Sequence, residues 1–386
     1  MRFRTTLLPL LALSCAFAVA QTAPKTDPPK TEPPKTDAAK PAEPPKKKSE
    51  LREYKDVVTA EAVSSKGVFT VHRIGDKLWW ELPANLLGKE FLWQTELSQT
   101  PNGQAYPGAA AGLRVVRFER RNNRIFMRNV DYSVRSVNKE NDLGVRESTV
   151  EPIIMSFDVA TEGEGGAPVF DVTSYLLSDP ADFAVKGQVS GAGVDSARSY
   201  PERAKAFERN VELRMFLTFS RNRGGSPFGA LFGGGGGGGD TSTVSAVAHH
   251  SIVLLPEVPM MGRLKDSRIG YFTQDFTAYG PPQNASEAIR YINRFRLEKK
   301  DPTAAVSEPV KPIVFYVARE VPDKWRSFIK KGIEDWRPAF ESAGFKNAIV
   351  ALDAPTKAQD PDWDAEDSRY SVIRWAASPV ANAMGP

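Results

Sequence analysis

The chain has 386 residues and a formal net charge of +4, and its composition is 41% hydrophobic and 25% charged. Arg2, Arg4 and a lysine-rich segment near the N-terminus carry the positive excess, so the remaining body is close to neutral and gives no electrostatic footprint for nucleic acid. The composition is that of a globular protein. We therefore expect no nucleic-acid partner.

Residues 1–20 have the pattern of a secretory signal peptide. Arg2 and Arg4 precede an apolar stretch, and Ala18 and Ala20 place small residues at the −3 and −1 positions of a cleavage site. The apolar stretch is too short for a hydrocarbon core of roughly 30 Å, and no later apolar run is long enough. We expect an exported protein, periplasmic or extracellular, with no transmembrane segment after signal cleavage.

The only cysteine, Cys15, lies inside this predicted signal peptide. Cleavage after Ala20 would remove the only thiol, which excludes disulfides, a thiolate nucleophile and a cysteine-bound zinc ion. The alternative is a lipoprotein in which Cys15 is lipidated. Ala12-Leu13-Ser14 is a poor match to the pattern that precedes a lipidated cysteine, which favours the signal peptide.

Residues 21–49 are predicted to be a disordered linker. They repeat with a period of five, contain eight prolines and seven lysines, and have almost no apolar residues. Such a segment cannot bury enough surface to offset the entropy of ordering. We interpret it as an extended spacer.

Residues 50–99 are predicted to form a small N-terminal domain with a β-hairpin. Val68 to Arg73 and Lys77 to Leu82 are strand-like runs on either side of a Gly75-Asp76 turn. Four large aromatic residues could form a ligand platform, but a buried core is the favoured interpretation. They are Trp79, Trp80, Phe91 and Trp93.

Residues 100–305 are predicted to form a β-rich domain, either a sandwich or an open barrel. Strand-like runs follow one another with turn residues between them. They are Leu113 to Glu119, Arg124 to Val130, Ile153 to Val159, Val169 to Val172, Val211 to Phe219, Thr243 to Leu255, Arg268 to Phe272 and Ile289 to Glu298. Seven glycines, Gly233 to Gly239, precede Asp240 rather than the Gly-Lys-Ser/Thr of a phosphate loop, so we expect 222–242 to be a disordered loop.

The pattern changes in residues 306–386. Ile313 to Val317 predicts a buried strand, and Pro322 begins a run of apolar residues at spacings of three and four, which predicts a long helix kinked by Pro338. Strands are predicted near Ala348 to Leu352 and Tyr370 to Trp375. This order indicates an α/β domain.

Residue patterns alone give no complete catalytic site. His249 and His250 are adjacent on a predicted strand, so they point to opposite faces and cannot bind one ion together. The sequence contains no Gly-x-Ser-x-Gly motif, which argues against a serine nucleophile. Residues 360–367 contain five acidic side chains, but the calcium-loop positions hold Ala365 and Ser371. We interpret the segment as a solvated acidic loop, and a weak surface calcium site is the alternative.

Several longer motifs carry a resemblance to a known family. They are HSIVLLPE at 250–257, RLEKKDP at 296–302, SEPVKPIVFY at 307–316, GIEDW at 332–336, AFESAGFKNA at 339–348 and RYSVIRW at 369–375. Together they closely resemble exported bacterial zinc-dependent metalloproteases, in which uncharacterised N-terminal domains precede a metzincin-like catalytic domain. The resemblance extends over residues 50–386.

This resemblance implies an α+β fold, with a β-rich N-terminal region followed by the first half of a metzincin-like α/β domain in 306–386. In the family, a His-Glu-x-x-His helix beyond the position of Pro386 supplies the zinc ligands and the general base, and we expect this chain to bind no metal by itself. The family also implies that an edge strand pairs with peptide or protein substrate. Its counterpart here is Tyr370, Ser371, Val372, Ile373, Arg374 and Trp375.

Two functions are therefore weighed. The first is the N-terminal portion of an exported zinc-dependent metallopeptidase, which we expect to be inactive as it stands, with no catalytic residues of its own, because the zinc helix is absent from the sequence. The second is a non-catalytic exported β-rich module that binds a partner or associates with the cell envelope. Zinc is expected only for the full-length family members.

Overall fold

The structure is a computed structural model that describes residues 51–101, 105–136, 139–221, 242–280 and 286–377. The predicted signal peptide and linker lie outside these residues, as does the predicted glycine loop except for Ser242. The described residues belong to one compact unit.

Most of the regular structure is β. The strands are β1 (Val63–Ser65), β2 (Thr70–Ile74), β3 (Lys77–Glu81), β4 (Glu90–Gln99), β5 (Ala109–Arg121), β6 (Arg124–Val130), β7 (Val134–Ser136), β8 (Ile153–Glu162), β9 (Pro168–Asp171), β10 (Gly191–Val194), β11 (Tyr200–Ala206), β12 (Asn210–Arg221), β13 (Thr243–Leu254), β14 (Thr273–Tyr279), β15 (Ser286–Ile292), β16 (Ile313–Val317), β17 (Ile349–Asp353) and β18 (Ser371–Ile373). The helices are α1 (Tyr54–Val57), α2 (Lys139–Ser148), α3 (Thr173–Leu176), α4 (Asp323–Glu334) and α5 (Arg337–Ser342). Short 3₁₀ turns lie at Ala84–Leu86, Glu164–Gly166, Ala181–Phe183, Lys186–Val189 and Ser196–Arg198.

In the described residues, twelve strands form one antiparallel sheet. Its order is β1-β2-β3-β9-β8-β6-β5-β4-β13-β12-β10, and β11 also pairs with β12. The sheet curls into a half-barrel, which agrees with the open-barrel alternative and confirms the β-rich α+β class. Strand β4 pairs with both β5 and β13, so strands from the predicted 50–99 unit and from the predicted 100–305 region share this sheet.

The predicted hairpins are present. β2 and β3 pair in register through a turn in which Gly75 has a φ of 58°, a conformation that suits a residue without a Cβ. β5 and β6 pair up to Arg121 opposite Arg124, and Asn122 at the turn has a φ of 54°. Asparagine tolerates this left-handed conformation better than most residues, which explains its place in the turn.

Aromatic side chains form a large part of the buried core of the large sheet. Trp80 is 1% exposed, and its ring centroid lies 5.1 to 6.1 Å from four other aromatic rings. These are the rings of Phe69, Trp93, Phe118 and Phe170. Trp93 stacks on Phe183 at 4.7 Å. The preference for a core over a ligand platform is confirmed for Trp80, Phe91 and Trp93, all of which are fully buried.

A second sheet has three strands in the order β15-β14-β7. The prediction of a strand from Arg268 to Phe272 is wrong, since β14 begins at Thr273. The backbone N–H and the guanidinium of Arg268 both donate to the carboxylate of Asp266, which closes a local turn instead.

The third sheet has the order β17-β16-β18, and both pairings are parallel. Helix α4 lies against β16 and β17. The prediction of one kinked helix is wrong, because α4 ends at Glu334 and α5 begins at Arg337. Pro338 lacks an N–H and its ring clashes with the carbonyl of Glu334, so α4 ends at Glu334 and Pro338 lies in the first turn of α5.

Gly344 follows the C-cap of α5 and has a φ of 87°, the left-handed conformation in which helices commonly end. No helix in the described part of the chain is both long and apolar enough to cross a membrane.

Candidate functional site

Three of the six predicted substrate-binding residues, Ser371 to Ile373, form β18, which is the outer strand of the parallel sheet as far as the described residues extend. Tyr370, Arg374 and Trp375 flank this strand. The carbonyl of Ile373 accepts a hydrogen bond from the N–H of Ala318 at 3.0 Å, so the backbone groups of Ile373 face β16. Consecutive strand residues direct these groups to opposite sides. The N–H and C=O of Val372 therefore face the open edge of the sheet.

The side chains next to this strand have defined surroundings. The Tyr370 ring stacks on Trp363 with centroids 5.9 Å apart and meets Tyr316 edge-on at 5.4 Å. Arg374 pairs with Glu320, with Nε and Oε1 3.2 Å apart, and Trp375 is 46% exposed. The structure thus brings Tyr370, Ser371, Val372, Ile373, Arg374 and Trp375 together along one edge.

The loop that leads into β18 is anchored on the large sheet through Glu366. The Glu366 side chain is 4% exposed and pairs with Arg214 of β12 and with Arg203 of β11, the latter at 2.8 Å. The side-chain amide of Asn210 donates to the Glu366 carbonyl at 2.8 Å, and its oxygen accepts from the N–H of Ser368 at 3.0 Å. These bonds fix the position of β18 relative to the large sheet.

The interpretation of residues 360–367 as a solvated loop is wrong at its C-terminal end. Asp367 is 2% exposed, and Asp364 Oδ2 lies 2.6 Å from Arg203 and 2.8 Å from Lys205. Carboxylates leave water when buried cations compensate them. Asp367 pairs with Arg369, two residues away, whereas the cations of Asp364 and Glu366 come from strands more than 150 residues earlier in the sequence.

His249 lies in the same anchoring cluster. Its Nδ1 is 3.0 Å from Glu96 Oε1 and its Nε2 is 2.7 Å from Glu212 Oε2, while Glu366 Oε1 is 4.0 Å away. Burial alone would lower the pKa of His249, but the hydrogen bonds and charges of these carboxylates raise it to about 9. A protonated His249 therefore neutralises part of a carboxylate-rich junction.

His250 faces the other side of the sheet. Trp93 Nε1 donates to its Nδ1 at 3.3 Å, and Thr95 Oγ1 lies 2.8 Å from the same nitrogen. Full burial, with a smaller effect from the charge on His249, lowers the pKa of His250 to about 3. The prediction that the adjacent histidines point to opposite faces is confirmed, and each has a structural set of partners.

Sequence reasoning missed a contact between a serine and a histidine. Ser64 Oγ lies 2.7 Å from His72 Nδ1, and His72 Nε2 lies 3.0 Å from Glu81 Oε2, because β1 pairs with β2 in a register that places Ser64 opposite His72. Tyr54 donates to the same Glu81 oxygen at 2.8 Å. Burial and this hydrogen bond raise the pKa of Tyr54 to about 12.

Ser64, His72 and Glu81 are arranged as a nucleophile, a base and an orienting acid would be. A general base must also reach the leaving group of a substrate. His72 is 3% exposed and Tyr54 shares its carboxylate partner, so we interpret the network as one that fixes the edge strand β1 on β2.

Metal binding depends on how donor side chains are grouped in space. Across the residues that the structure describes, no group of three or more histidine, cysteine, aspartate or glutamate side chains is arranged to hold a metal ion. Among the carboxylates around His249, Glu366 is compensated by Arg203 and Arg214, and Glu96 and Glu212 contact His249 itself. The described residues therefore do not fit a zinc site.

Comparison with known families gives two matches. Residues 108–300, half of the chain, match a domain of unknown function, DUF5117. The chain belongs to this family. Residues 51–100 match a second domain of unknown function, DUF5118. The division between these DUF5117 and DUF5118 segments falls between β4 and β5, two neighbouring strands of the large sheet.

Neither description names an activity, a substrate or a cofactor. No match was found among curated proteins or among solved structures.

Proposed function

We propose that this DUF5117 chain is the N-terminal portion of an exported zinc-dependent metallopeptidase and that β18 binds the peptide substrate. The proposal rests on the motifs of residues 250–375 that resemble this class. The single structural observation that supports it is the outer position of β18, which leaves the backbone groups of Val372 directed away from β16.

The binding step is strand addition. An extended peptide places its own N–H and C=O groups opposite those of Val372 and extends the β17-β16-β18 sheet by one strand. Zinc, where such a polypeptide binds it, supplies the Lewis acid that activates water. The residues of this chain hold and orient the peptide.

A proline substitution tests strand addition. Val372→Pro removes the outward N–H while Ser371 and Ile373 keep the groups that pair with β16. We expect the affinity for extended peptides to fall about tenfold, which corresponds to about 1.4 kcal/mol. Val372→Ala is the matched control, since it retains the N–H, and it should bind as the wild type does. Fluorescence titration of labelled peptides against both variants measures the difference.

The same titration distinguishes the alternative function, a non-catalytic exported β-rich binding or envelope-associated module. That alternative is favoured by the continuous buried core of the large sheet, which draws its residues from 69–252. If Val372→Pro binds peptide as tightly as Val372→Ala does, the binding surface lies elsewhere and the peptidase-type proposal is wrong.

A further inference from the structure

A cleft of about 590 Å³ lies between the large sheet and the loops of the parallel sheet. Arg203 and Lys205 of β11 line one side. Arg319, the segment 355–357 and the segment 363–365 line the rest. The volume is within the range of small-molecule sites in proteins, roughly 300 to 1,000 Å³.

The cleft lies at the carboxyl ends of two parallel strands. Arg319 follows β16, which ends at Val317, and Pro355 follows β17, which ends at Asp353. In open α/β sheets, ligands bind outside the carboxyl ends of the strands, where loops from neighbouring strands converge. The cleft therefore occupies the position at which such a sheet places a ligand.

The lining is rich in cations. The lining contains one carboxylate, Asp364, and four cations. The cations are Arg203, Lys205, Arg319 and Lys357. Asp364 binds both Arg203 and Lys205, so these two cations are partly neutralised.

The other two cations have different partners. Arg319 Nε donates to the Ala354 carbonyl at 2.9 Å, and Lys357 Nζ donates to the carbonyls of Pro361 and Trp363 at 3.1 and 2.6 Å. In the described chain, the ion pairs of 4.0 Å or less include neither Arg319 nor Lys357. Their charges are oriented by backbone carbonyls without being neutralised.

The surroundings of Asp364 favour its charged form. Burial alone would raise its pKa, but hydrogen bonds from Lys205 and from the Glu366 N–H, with the charges of Arg203 and Lys205, lower it to about 2. The neighbouring cations therefore stabilise the charged form of Asp364.

We propose that this cleft binds an organic anion that carries at least two carboxylate or phosphate groups. Arg319 and Lys357 pair with the anionic groups, because they are the cations that lack a carboxylate partner. Arginine favours two-point contact with such groups, and lysine acts as a point charge. Trp363 provides an aromatic wall for the organic part of the ligand. This site is separate from the backbone groups of Val372 and does not depend on peptide binding there.

Isothermal titration of the full chain with tri-glutamate and with pyrophosphate tests the proposal. We expect at least one probe to bind saturably at low ionic strength and to weaken as salt is added. The probe that binds more tightly identifies the anionic group as carboxylate or phosphate. The absence of saturable binding by both would overturn the proposal.

Variants locate the binding. Arg319→Gln with Lys357→Gln should weaken the affinity about tenfold or more. Lys77→Gln, which removes an exposed lysine on the β2–β3 hairpin, is the matched control and should change it less than about twofold. Equal losses in both would indicate non-specific attraction and would contradict the proposal.

Two further variants cover the remaining outcomes. If circular dichroism shows that the double variant is unfolded, Lys357→Gln alone decides, since this lysine bonds only to carbonyls of its own loop, and we expect a loss of about threefold. An unchanged affinity would overturn the proposal. Val372→Pro should retain anion binding, and loss of binding in that variant would assign the anion to the β18 edge instead.

Discussion

The large sheet and the parallel sheet bury their apolar residues to very different extents. In the large sheet, aromatic side chains such as Trp80, Phe91 and Phe118 are at most 1% exposed and contact one another. In the parallel sheet, α4 and α5 have no buried residues, and Phe328 and Trp336 are 65% and 62% exposed. The first region is held together by its own core.

The second region depends more on its attachment to the first. Few apolar side chains of the parallel sheet are buried, whereas Glu366 and Asp364 tie its loop to Arg203 and Arg214 of the large sheet. Apolar burial is the main source of folding free energy, so a region with little of it unfolds more readily. Substitutions should therefore act differently in the two regions.

The largest expected effect is in the aromatic core. Trp80→Ala removes a fully buried ring from between four others and should lower the free energy of unfolding by about 3 to 5 kcal/mol. Phe328→Ala in α4 is the matched control and should lower it by less than about 1 kcal/mol, because the ring is mostly exposed. Urea denaturation of both variants measures the contrast. Similar losses in the two would mean that the regions do not differ in burial as described.

A smaller effect is expected at the junction. Glu366→Gln removes the charge that pairs with Arg203 and Arg214 and should cost about 2 kcal/mol, since both arginines are partly exposed. Hydrogen exchange should accelerate in β16 and β18 while β4 to β6 remain protected.

Glu257→Gln, which breaks an exposed pair with Lys89, is the control. It should change neither the free energy of unfolding nor the hydrogen exchange of the two sheets. Uniform acceleration across both sheets after Glu366→Gln would contradict the separate attachment.

The third effect depends on pH. The native pKa of His249 is raised to about 9, above the ordinary 6.5, so the stability that it contributes is fully present below pH 6.5 and is lost as pH rises through 9. The native pKa of His250 is lowered to about 3, so its contribution is present above pH 6.5 and is lost as pH falls through 3.

The two contributions together should be greatest near pH 6.5. We expect the free energy of unfolding to fall on the order of 2 kcal/mol between pH 6.5 and 9, measured by urea denaturation. His249→Gln should flatten this alkaline limb. If the variant keeps the wild-type pH profile, the protonated His249 does not stabilise the junction.

Local patterns predicted much of the fold. The hairpins β2–β3 and β5–β6 follow from alternating apolar residues on either side of Gly75 and Asn122, because turn chemistry and side-chain alternation are local properties. Strand β11 was missed. The sequence of β11 is polar because it contains Arg203 and Lys205, and the partner of both cations, Asp364, lies far away in the sequence.

One of the two candidate sites could be predicted from the sequence and the other could not. The edge strand of residues 370–375 could be located from a family resemblance, and its position in the structure is an outer strand. The cleft lined by Arg203, Arg319 and Lys357 could not be found, because its lining residues come from four separate segments of the chain. Long-range pairing, rather than residue type, brings these charges together.

The two histidines of β13 also determine how that strand aligns with its neighbours. His249 lies opposite Glu96 and Arg214, and His250 lies opposite Thr95 and Leu213. A slip of one residue would place the charged imidazole among aromatic rings and the neutral one among carboxylates. Each misplacement would raise the energy of the folded state. His249 and His250 therefore select a single register for the pairing of β12 with β13, the longest strand pairing among the described residues.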